Sequence, residues 1–193
     1  SLYKTYGPHL ALLYGKKELL DQTKNLNHEF LASEIPYTMN PGGPNHEELA
    51  CLSGVTDYYE TLYSHHFTEQ GLNLHEKGKK VFELIYSHEE TLIKTLIEFL
   101  KLKKNVRLIG KTSHSRSERM PTVSFTVKDK SSLEIAKAAG KNQIGIRNGE
   151  FYAWRCLKGL GIEPNDGVVR VSMVHYNNIE EVNRLIDFLD TIL

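Results

Sequence analysis

Residues 122–127 read TVSFTV, in which Val123, Phe125 and Val127 alternate with hydroxyl residues. A period of two places the three apolar side chains on one face of a β-strand and the hydroxyl side chains on the other. A strand with one apolar face must bury that face against other elements of the same core. The flanking sequence therefore has to supply further strands and covering helices.

The neighbouring segments predict those elements. Upstream, VRLIG at 106–110 is typical of a strand. Downstream, a helix, a strand with its turn, a helix, a strand and a final helix are predicted in SSLEIAKAAG, QIGIRNG, FYAWRCLKGLG, VVRVSM and NNIEEVNRLIDFLDTIL. The first of these helices carries a capping box from Ser131 to Glu134 and a closing Gly140. This order predicts a small α/β sandwich with helices on one face of a short sheet.

The earlier part of the chain has a different pattern. Residues 9–14, bounded by Gly7-Pro8 and Gly15, predict a short buried strand. Asn45 and Glu48 predict the start of a helix, with an apolar stripe formed by Leu52, Val55, Tyr59 and Leu62. A longer helix is predicted over about 76–102, since it carries apolar residues at helical spacing and no proline.

Composition limits the classes of function. The chain has 193 residues, 40% hydrophobic and 25% charged, as in an ordinary globular protein. Its 24 Lys and Arg balance its 24 Asp and Glu, so charge gives no case for nucleic acid or an anionic membrane. No apolar run approaches the roughly 20 residues that span a bilayer, and the first residues show no signal-peptide pattern.

The two cysteines, Cys51 and Cys156, cannot form a disulfide framework. A reducing, cytoplasmic location is therefore expected. Both cysteines fall in predicted amphipathic helices, where the usual role of the thiol is that of a small buried apolar group.

Three local motifs resemble known sites but lack the residues or the spacing that those sites require. IGKTS at 109–113 resembles the end of a phosphate-binding loop, but Asn105 stands where that loop needs glycine. HEELA at 46–50 begins like a zinc-binding helix and lacks the second histidine. His65 and His66 are adjacent, so on a helix they point about 100° apart and would not share a metal. No metal site is expected.

One lysine and two arginines remain as candidates. Lys4 lies among bulky, weakly polar residues, which suit a desolvated nucleophilic amine, although a surface lysine is the plainer interpretation. Arg170 interrupts an apolar strand, so it is either a snorkelling edge residue or a carboxylate binder. Arg147, in GIRNG, is the third candidate.

Four motifs resemble those of the class V aminotransferases, and their nearest group is called cysteine desulfurase-like. The order and separations match over nearly the whole chain, in YKTYGPH at 3–9, GGPNHEELACLSG at 42–54, PTVSFTV at 121–127 and RVSMVHYNNIEEVNRL at 170–185. In that family the lysine matching Lys4 holds pyridoxal phosphate as a Schiff base, just beyond the midpoint of a chain of roughly double this length. The resemblance therefore implies a C-terminal half, with the upstream half of the same polypeptide as its partner.

The implied fold class is α/β, of fold type I. Residues 1–75 would be the end of the large cofactor-binding domain, 76–104 a connecting helix, and 105–193 a small C-terminal α/β sandwich domain. The resemblance also implies a homodimer. The 193 residues alone are not expected to bind the cofactor tightly, because Lys4 lies at the chain end without its upstream partners.

The resemblance assigns roles residue by residue. Arg170 matches the arginine that binds the substrate carboxylate, and Arg147 matches a second active-site arginine. Gly42 and Gly43 form a turn before a helix N-terminus, where N–H groups favour the cofactor phosphate. Many relatives have a threonine at the position of Gly43 that reaches the phosphate of the other subunit, so only backbone contact is implied here.

The implied function is that of a pyridoxal-phosphate-dependent enzyme acting on an amino acid through Lys4. The reaction branch stays open between transamination and a lyase- or desulfurase-type step. Tyr152 stands where true desulfurases carry their nucleophilic cysteine, and Tyr3 replaces a usual histidine, so the sequence argues against desulfuration. The alternative is a non-catalytic fragment that keeps the fold as a binding or dimerisation module.

Overall fold

The computed structural model describes residues 1–32, 34, 37–40 and 42–193, and it divides into two compact units, Ser1–Val81 and Phe82–Leu193. The boundary between the units falls inside the longest helix. The helices are α1 Lys17–Gln22, α2 His46–Ala50, α3 Leu52–His66, α4 Leu74–Lys101, α5 Ser132–Lys141, α6 Trp154–Gly159 and α7 Ile179–Ile192. The strands are β1 Val106–Ile109, β2 Thr122–Val127, β3 Arg147–Gly149 and β4 Val168–Ser172.

The sheet belongs to the second unit. Within the described residues four strands form it, in the order β1-β2-β4-β3, and each neighbouring pair is antiparallel. The strand predicted from TVSFTV is confirmed as β2, since Val123 and Phe125 are fully buried and Val127 is nearly so. Burial of one complete face explains the fixed register, because a slip by one residue would turn that face to solvent.

The main core lies on that apolar face. Helices α4, α5 and α7 contribute to it the buried residues Leu92, Ile93, Leu96, Ile97, Leu100, Ile135, Val182, Leu185 and Leu189. The long helix predicted over about 76–102 is confirmed as α4, and the predicted last helix as α7. Helix α7 starts with a capping box in which the Asn178 side chain accepts from the Glu181 N–H and the Glu181 side chain accepts from the Asn178 N–H.

The opposite face of the sheet is also partly covered, so the expectation of helices on one face only is wrong. Leu157 from α6, Ile162 and Val168 form a second small buried cluster. Val168 requires this cover because it lies on the opposite face from Val169 and is itself apolar. The Arg107 Nη2 donates to the Leu160 carbonyl at 2.9 Å and fastens the end of α6 over β1.

The start of α5 is capped by a residue distant in sequence, so the predicted Ser131–Glu134 capping box is wrong. The Asp166 carboxylate accepts from the Ser131 hydroxyl at 2.7 Å and from the Ser132 N–H at 2.9 Å. Burial raises the pKa of Asp166, but the hydrogen bonds from Ser132, Ser131 and Leu133 outweigh that effect, and the pKa lies below its ordinary value. The two oxygens of the carboxylate accept several donors at once, and the Ser131 hydroxyl is one of those donors rather than the cap.

The end of α5 also differs from the prediction. Gly140 lies inside the helix, which continues to Lys141, and the left-handed residue that follows is Gln143 with a φ of 57°. Gly140 therefore does not close the helix.

The first unit departs most from the prediction. Residues 9–14 form no strand, and Leu12, Leu13 and Tyr14 are 70%, 75% and 86% exposed. An extended apolar segment needs a paired neighbour, and no described strand pairs with this one.

The helix predicted from Asn45 exists as two helices, α2 and α3, which meet at Cys51, and its predicted apolar stripe is half-buried. Cys51 and Cys156 are both exposed, so their predicted burial is wrong as well.

Candidate active site

Lys4 closes a short 3-10 helix, Leu2–Lys4, in the first unit. The backbone turn is held by hydrogen bonds from the N–H groups of Thr5 and Gly7 to the Leu2 carbonyl, at 2.8 and 2.9 Å. The Lys4 side chain is exposed, with its Nζ 5.8 Å from the centroid of the Tyr3 ring. No carboxylate of the described residues forms an ion pair with it, so the amine is available although it is not desolvated as the sequence suggested.

Gly42 and Gly43 lie in an exposed turn before α2. A Cβ at either glycine would meet no atom within 4 Å, so their backbone is open to a ligand. Helix α2 is only five residues long, its first turn contains Glu47 and Glu48, and the Asn45 side chain already accepts from the Glu48 N–H. The predicted helix start after this turn is confirmed, but so short a helix with two acidic residues in its first turn adds little attraction for an anion. Binding of the cofactor phosphate by the backbone of the two glycines stays a prediction.

Arg147 and Arg170 are brought together by the sheet. Arg147 in β3 pairs directly with Arg170 in β4, and Arg170 pairs on its other side with Ser124 in β2. Directly paired residues of antiparallel strands present their side chains on the same face, with Cβ atoms about 4.5–5.5 Å apart. This face is the one opposite the main core, because Val169 and Val171 point into the core.

The two arginines are not neutralised by the part of the chain that the structure describes. Neither guanidinium forms an ion pair with a described carboxylate, and the buried Arg170 Nε has no hydrogen-bond partner there. Like charges directly opposed across a sheet destabilise it, by roughly 0.2–1 kcal/mol. A ligand carboxylate bound between them would remove this repulsion and supply the missing acceptor.

Phe151 completes this site, although no sequence pattern indicated it. Its ring centroid lies 3.8 Å from the Arg170 guanidinium carbon, so the ring is stacked on the cation. Phe151 and Tyr152 have φ values of 50° and 62°, and the Ala153 N–H donates to the Glu150 carbonyl at 2.8 Å. Two successive left-handed residues are the requirement of a type I′ turn, which normally selects Asn and Gly.

Aromatic residues in such a turn are strained, by roughly 1–3 kcal/mol each. Surrounding contacts must therefore hold Phe151 in place. No pattern in the sequence indicates this turn, because residues 150–153 lack the Asn and Gly that usually mark one. The helix predicted over FYAWRCLKGLG at 151–161 is therefore shorter in the structure, where α6 begins only at Trp154.

The described residues give no evidence of a metal site or of a membrane-spanning helix. No group of three or more His, Cys, Asp or Glu side chains there could hold a metal ion. No helix among the same residues is both long and apolar enough to cross a membrane.

Comparison with known proteins identifies the family. The model of the family "Aminotransferase class-V" matches residues 1–185, and the chain belongs to this family. The chain is 36% identical to "Aminotransferase-like protein FGM3" of Gibberella zeae and 30% identical to "Cysteine desulfurase-like protein ustD" of Aspergillus flavus. Both alignments cover 100% of this chain, but only 45% and 41% of those relatives. The chain thus spans less than half the length of the curated relatives it matches.

Solved structures give the same fold. The cysteine desulfurase CsdA of Escherichia coli aligns over 99% of this chain and 44% of its own, with a TM-score of 0.71 and 19% identity. The cysteine desulfurase of Thermococcus onnurineus aligns over 81% of this chain and 33% of its own, with a TM-score of 0.62 and 24% identity. These neighbours are fold-type-I enzymes, so the α/β class and the fold type expected from the sequence are confirmed.

The family depends on pyridoxal phosphate. The groups present in this chain fit that cofactor and an amino-acid substrate in three respects. The Lys4 amine forms no ion pair with the described residues, the Gly42–Gly43 backbone is open, and Arg170 has a buried nitrogen lacking an acceptor among them.

Proposed function

We propose that the chain is the C-terminal part of a pyridoxal-phosphate-dependent enzyme that acts on an amino acid. The observation that carries the proposal is the pair of directly opposed arginines, Arg147 and Arg170, without a neutralising carboxylate in the described chain. Two adjacent guanidinium groups are an unfavourable arrangement for an empty sheet and a favourable one for a bound carboxylate. Membership of the family supports the rest of the assignment.

In this proposal Arg170 binds the substrate carboxylate and Arg147 assists from the adjacent strand. Arg170 is half-buried and Arg147 is exposed, so Arg170 loses more of its hydration and gains more from a bidentate ion pair. Ser124 lies on the other side of Arg170 and can donate a further hydrogen bond to the same ligand.

Lys4 would hold the cofactor through its Nζ and then move a proton at the substrate Cα. Pyridoxal phosphate, when bound, supplies an electron sink for the negative charge that develops at that carbon. Gly42 and Gly43 would contact the cofactor phosphate of the partner subunit in a homodimer through backbone N–H groups alone.

The reaction branch is proposed to be transamination or a lyase step rather than desulfuration. Tyr152, which stands at the cysteine position of the resembling desulfurases, is fully exposed at 102% and carries no thiol. Cys156 is an exposed thiol on α6, four residues further along. Sulfur release after incubation of the full-length protein with cysteine would argue for the desulfurase branch.

The test of the proposal is reductive trapping. The full-length protein that contains these residues is incubated with pyridoxal phosphate, reduced with borohydride and digested, and mass spectrometry locates the modified lysine. We expect a single modified peptide containing Lys4, absent from Lys4→Ala and retained in Lys24→Ala, an exposed lysine of the same unit. No modification at Lys4 would overturn the enzyme assignment and favour a non-catalytic binding or dimerisation module.

A further inference from the structure

We propose that Phe151 is a positioning residue that fixes the Arg170 guanidinium in the plane in which it receives the substrate carboxylate. The inference rests on the proposed function, in which Arg170 binds that carboxylate. It assigns to Phe151 a role through Arg170 rather than through contact with the reacting atoms.

The stacking contact is the first support. With 3.8 Å between the Arg170 guanidinium carbon and the Phe151 ring centroid, the ring covers one side of the cation. A guanidinium that is covered on one side keeps its N–H groups free along its edges, where a carboxylate binds in a bidentate manner. The ring therefore restrains the orientation of the group without competing for its donors.

The surroundings of Phe151 are the second support. The ring packs against the small cluster of Leu157, Ile162 and Val168, so it is held by the sheet and by α6 rather than by its own turn alone. Val168 and Arg170 lie on the same face of β4, two residues apart, and Phe151 packs against the cluster that contains Val168 and stacks on Arg170. Phe151 is thus placed by the same strand that carries Arg170.

The absence of other restraints on Arg170 is the third support. Its Nε has no hydrogen-bond partner among the described residues, and no described carboxylate pairs with it. Ion pairs orient many arginine side chains in proteins, whereas in this site the aromatic ring is the contact that can do so. The strain of two left-handed aromatic residues at 151 and 152 is consistent with a turn kept for this contact.

Nuclear magnetic resonance tests the contact without cofactor or activity. In the full-length protein without cofactor, the Arg170 Nε–Hε signal, assigned by its loss in Arg170→Lys, should show a ring-current shift from Phe151. Phe151→Leu, which keeps an apolar side chain, should abolish that shift, and Phe151→Trp should retain one. Tyr152→Leu is the matched control in the same turn, and it should leave the signal in place. An unshifted signal in the wild-type chain would overturn the proposal.

Kinetics of the cofactor-loaded full-length protein test the function of the contact. Phe151→Leu should raise KM for the amino acid about three- to tenfold with kcat nearly unchanged, and Phe151→Trp should restore KM. If Arg170→Lys raises KM and Phe151→Leu does not, the positioning role is wrong while the proposed function stands. If Arg170→Lys leaves KM unchanged, the carboxylate assignment itself fails, and with it the positioning role.

Discussion

Arg147 and Arg170 are direct partners across the antiparallel β3–β4 pair, so two cations share one face of the sheet at its edge. The pairing places the charges side by side by backbone geometry, without any contribution from a flexible loop. A site on strands is held more precisely than one on loops. Without a ligand, the repulsion between the two arginines lowers the stability of the sheet. Both this repulsion and the binding of a carboxylate can be measured.

Arg170→Lys in the cofactor-loaded full-length protein should weaken amino-acid binding about tenfold to a hundredfold. The substitution keeps the charge and removes the fork that meets both carboxylate oxygens. Arg147→Lys should have a smaller effect, because Arg147 is exposed and its interactions are screened by solvent. Titration of the amino acid against the visible cofactor band measures both. An unchanged dissociation constant for Arg170→Lys would contradict the assignment of Arg170.

Removing the charge of Arg147 should stabilise the ligand-free chain. Arg147→Thr relieves the repulsion by Arg170 and should raise the free energy of unfolding by about 0.2–1 kcal/mol at low salt. The gain should shrink as salt is added, since screening already weakens the repulsion. Arg147→Lys is the matched control, because it retains the charge and should leave stability nearly unchanged. Urea unfolding at two salt concentrations provides the measurement.

Gly167 allows the chain to enter β4 next to β3. Its φ is 70°, and a Cβ there would lie 2.2 Å from the Gly149 carbonyl carbon and oxygen. Gly167→Ala should therefore cost about 2–5 kcal/mol through overpacking and left-handed strain. Gly140→Ala is the contrasting control: it lies inside α5 with nothing within 4 Å of a new Cβ, and should stabilise by about 0.5–1 kcal/mol. Equal effects of the two substitutions on urea unfolding would contradict this account.

Asp166 should make α5 sensitive to acid. The pKa of Asp166 is lower in the folded protein than in the unfolded chain. Its contribution to the free energy of unfolding is therefore complete above the pKa of the unfolded chain and is lost as the pH falls through the pKa of the folded protein. Asp166→Ala should cost about 0.5–2 kcal/mol near neutral pH, as for a lost helix cap, and progressively less in acid.

The exposed Asp187 of α7 provides a control for the loss of a carboxylate alone, and Asp187→Ala should change the free energy of unfolding near neutral pH by no more than about 0.5 kcal/mol. The check is the difference in unfolding free energy between each variant and the wild type as a function of pH. A constant difference for Asp166→Ala across the acid range would show that its hydrogen bonds are not the cause.

Local sequence patterns predicted much of the fold. The period of TVSFTV and the helical spacing of α4 indicate burial directly, because in each element the apolar residues all lie on one buried face. The Asn178–Glu181 box is equally local, since both partners lie within one helical turn. Prediction from the sequence failed where a hydrogen-bonding partner is distant along the chain. The cap of α5 is an example, because it comes from Asp166, 34 residues after Ser132.

In the candidate site, too, the individual residues were predictable from local sequence but their contacts were not. Arg147 and Arg170 were each recognisable as candidates, but their direct pairing depends on the strand order, which the sequence does not reveal. Phe151 was missed because its turn uses residues that ordinarily avoid a positive φ. The apolar run at 9–14 was predicted as a strand from its composition alone, and a strand also requires a neighbour to pair with.

Each of the two units has one exposed thiol that a reagent can label. Cys51 lies in the first unit and Cys156 in the second, and these 193 residues contain no third cysteine that would compete for a maleimide reagent. A donor dye and an acceptor dye attached to this natural pair would report the separation of the two units by energy transfer, without any engineered substitution. The same thiols make a reducing agent necessary during purification, because oxidation between copies would join chains into covalent dimers.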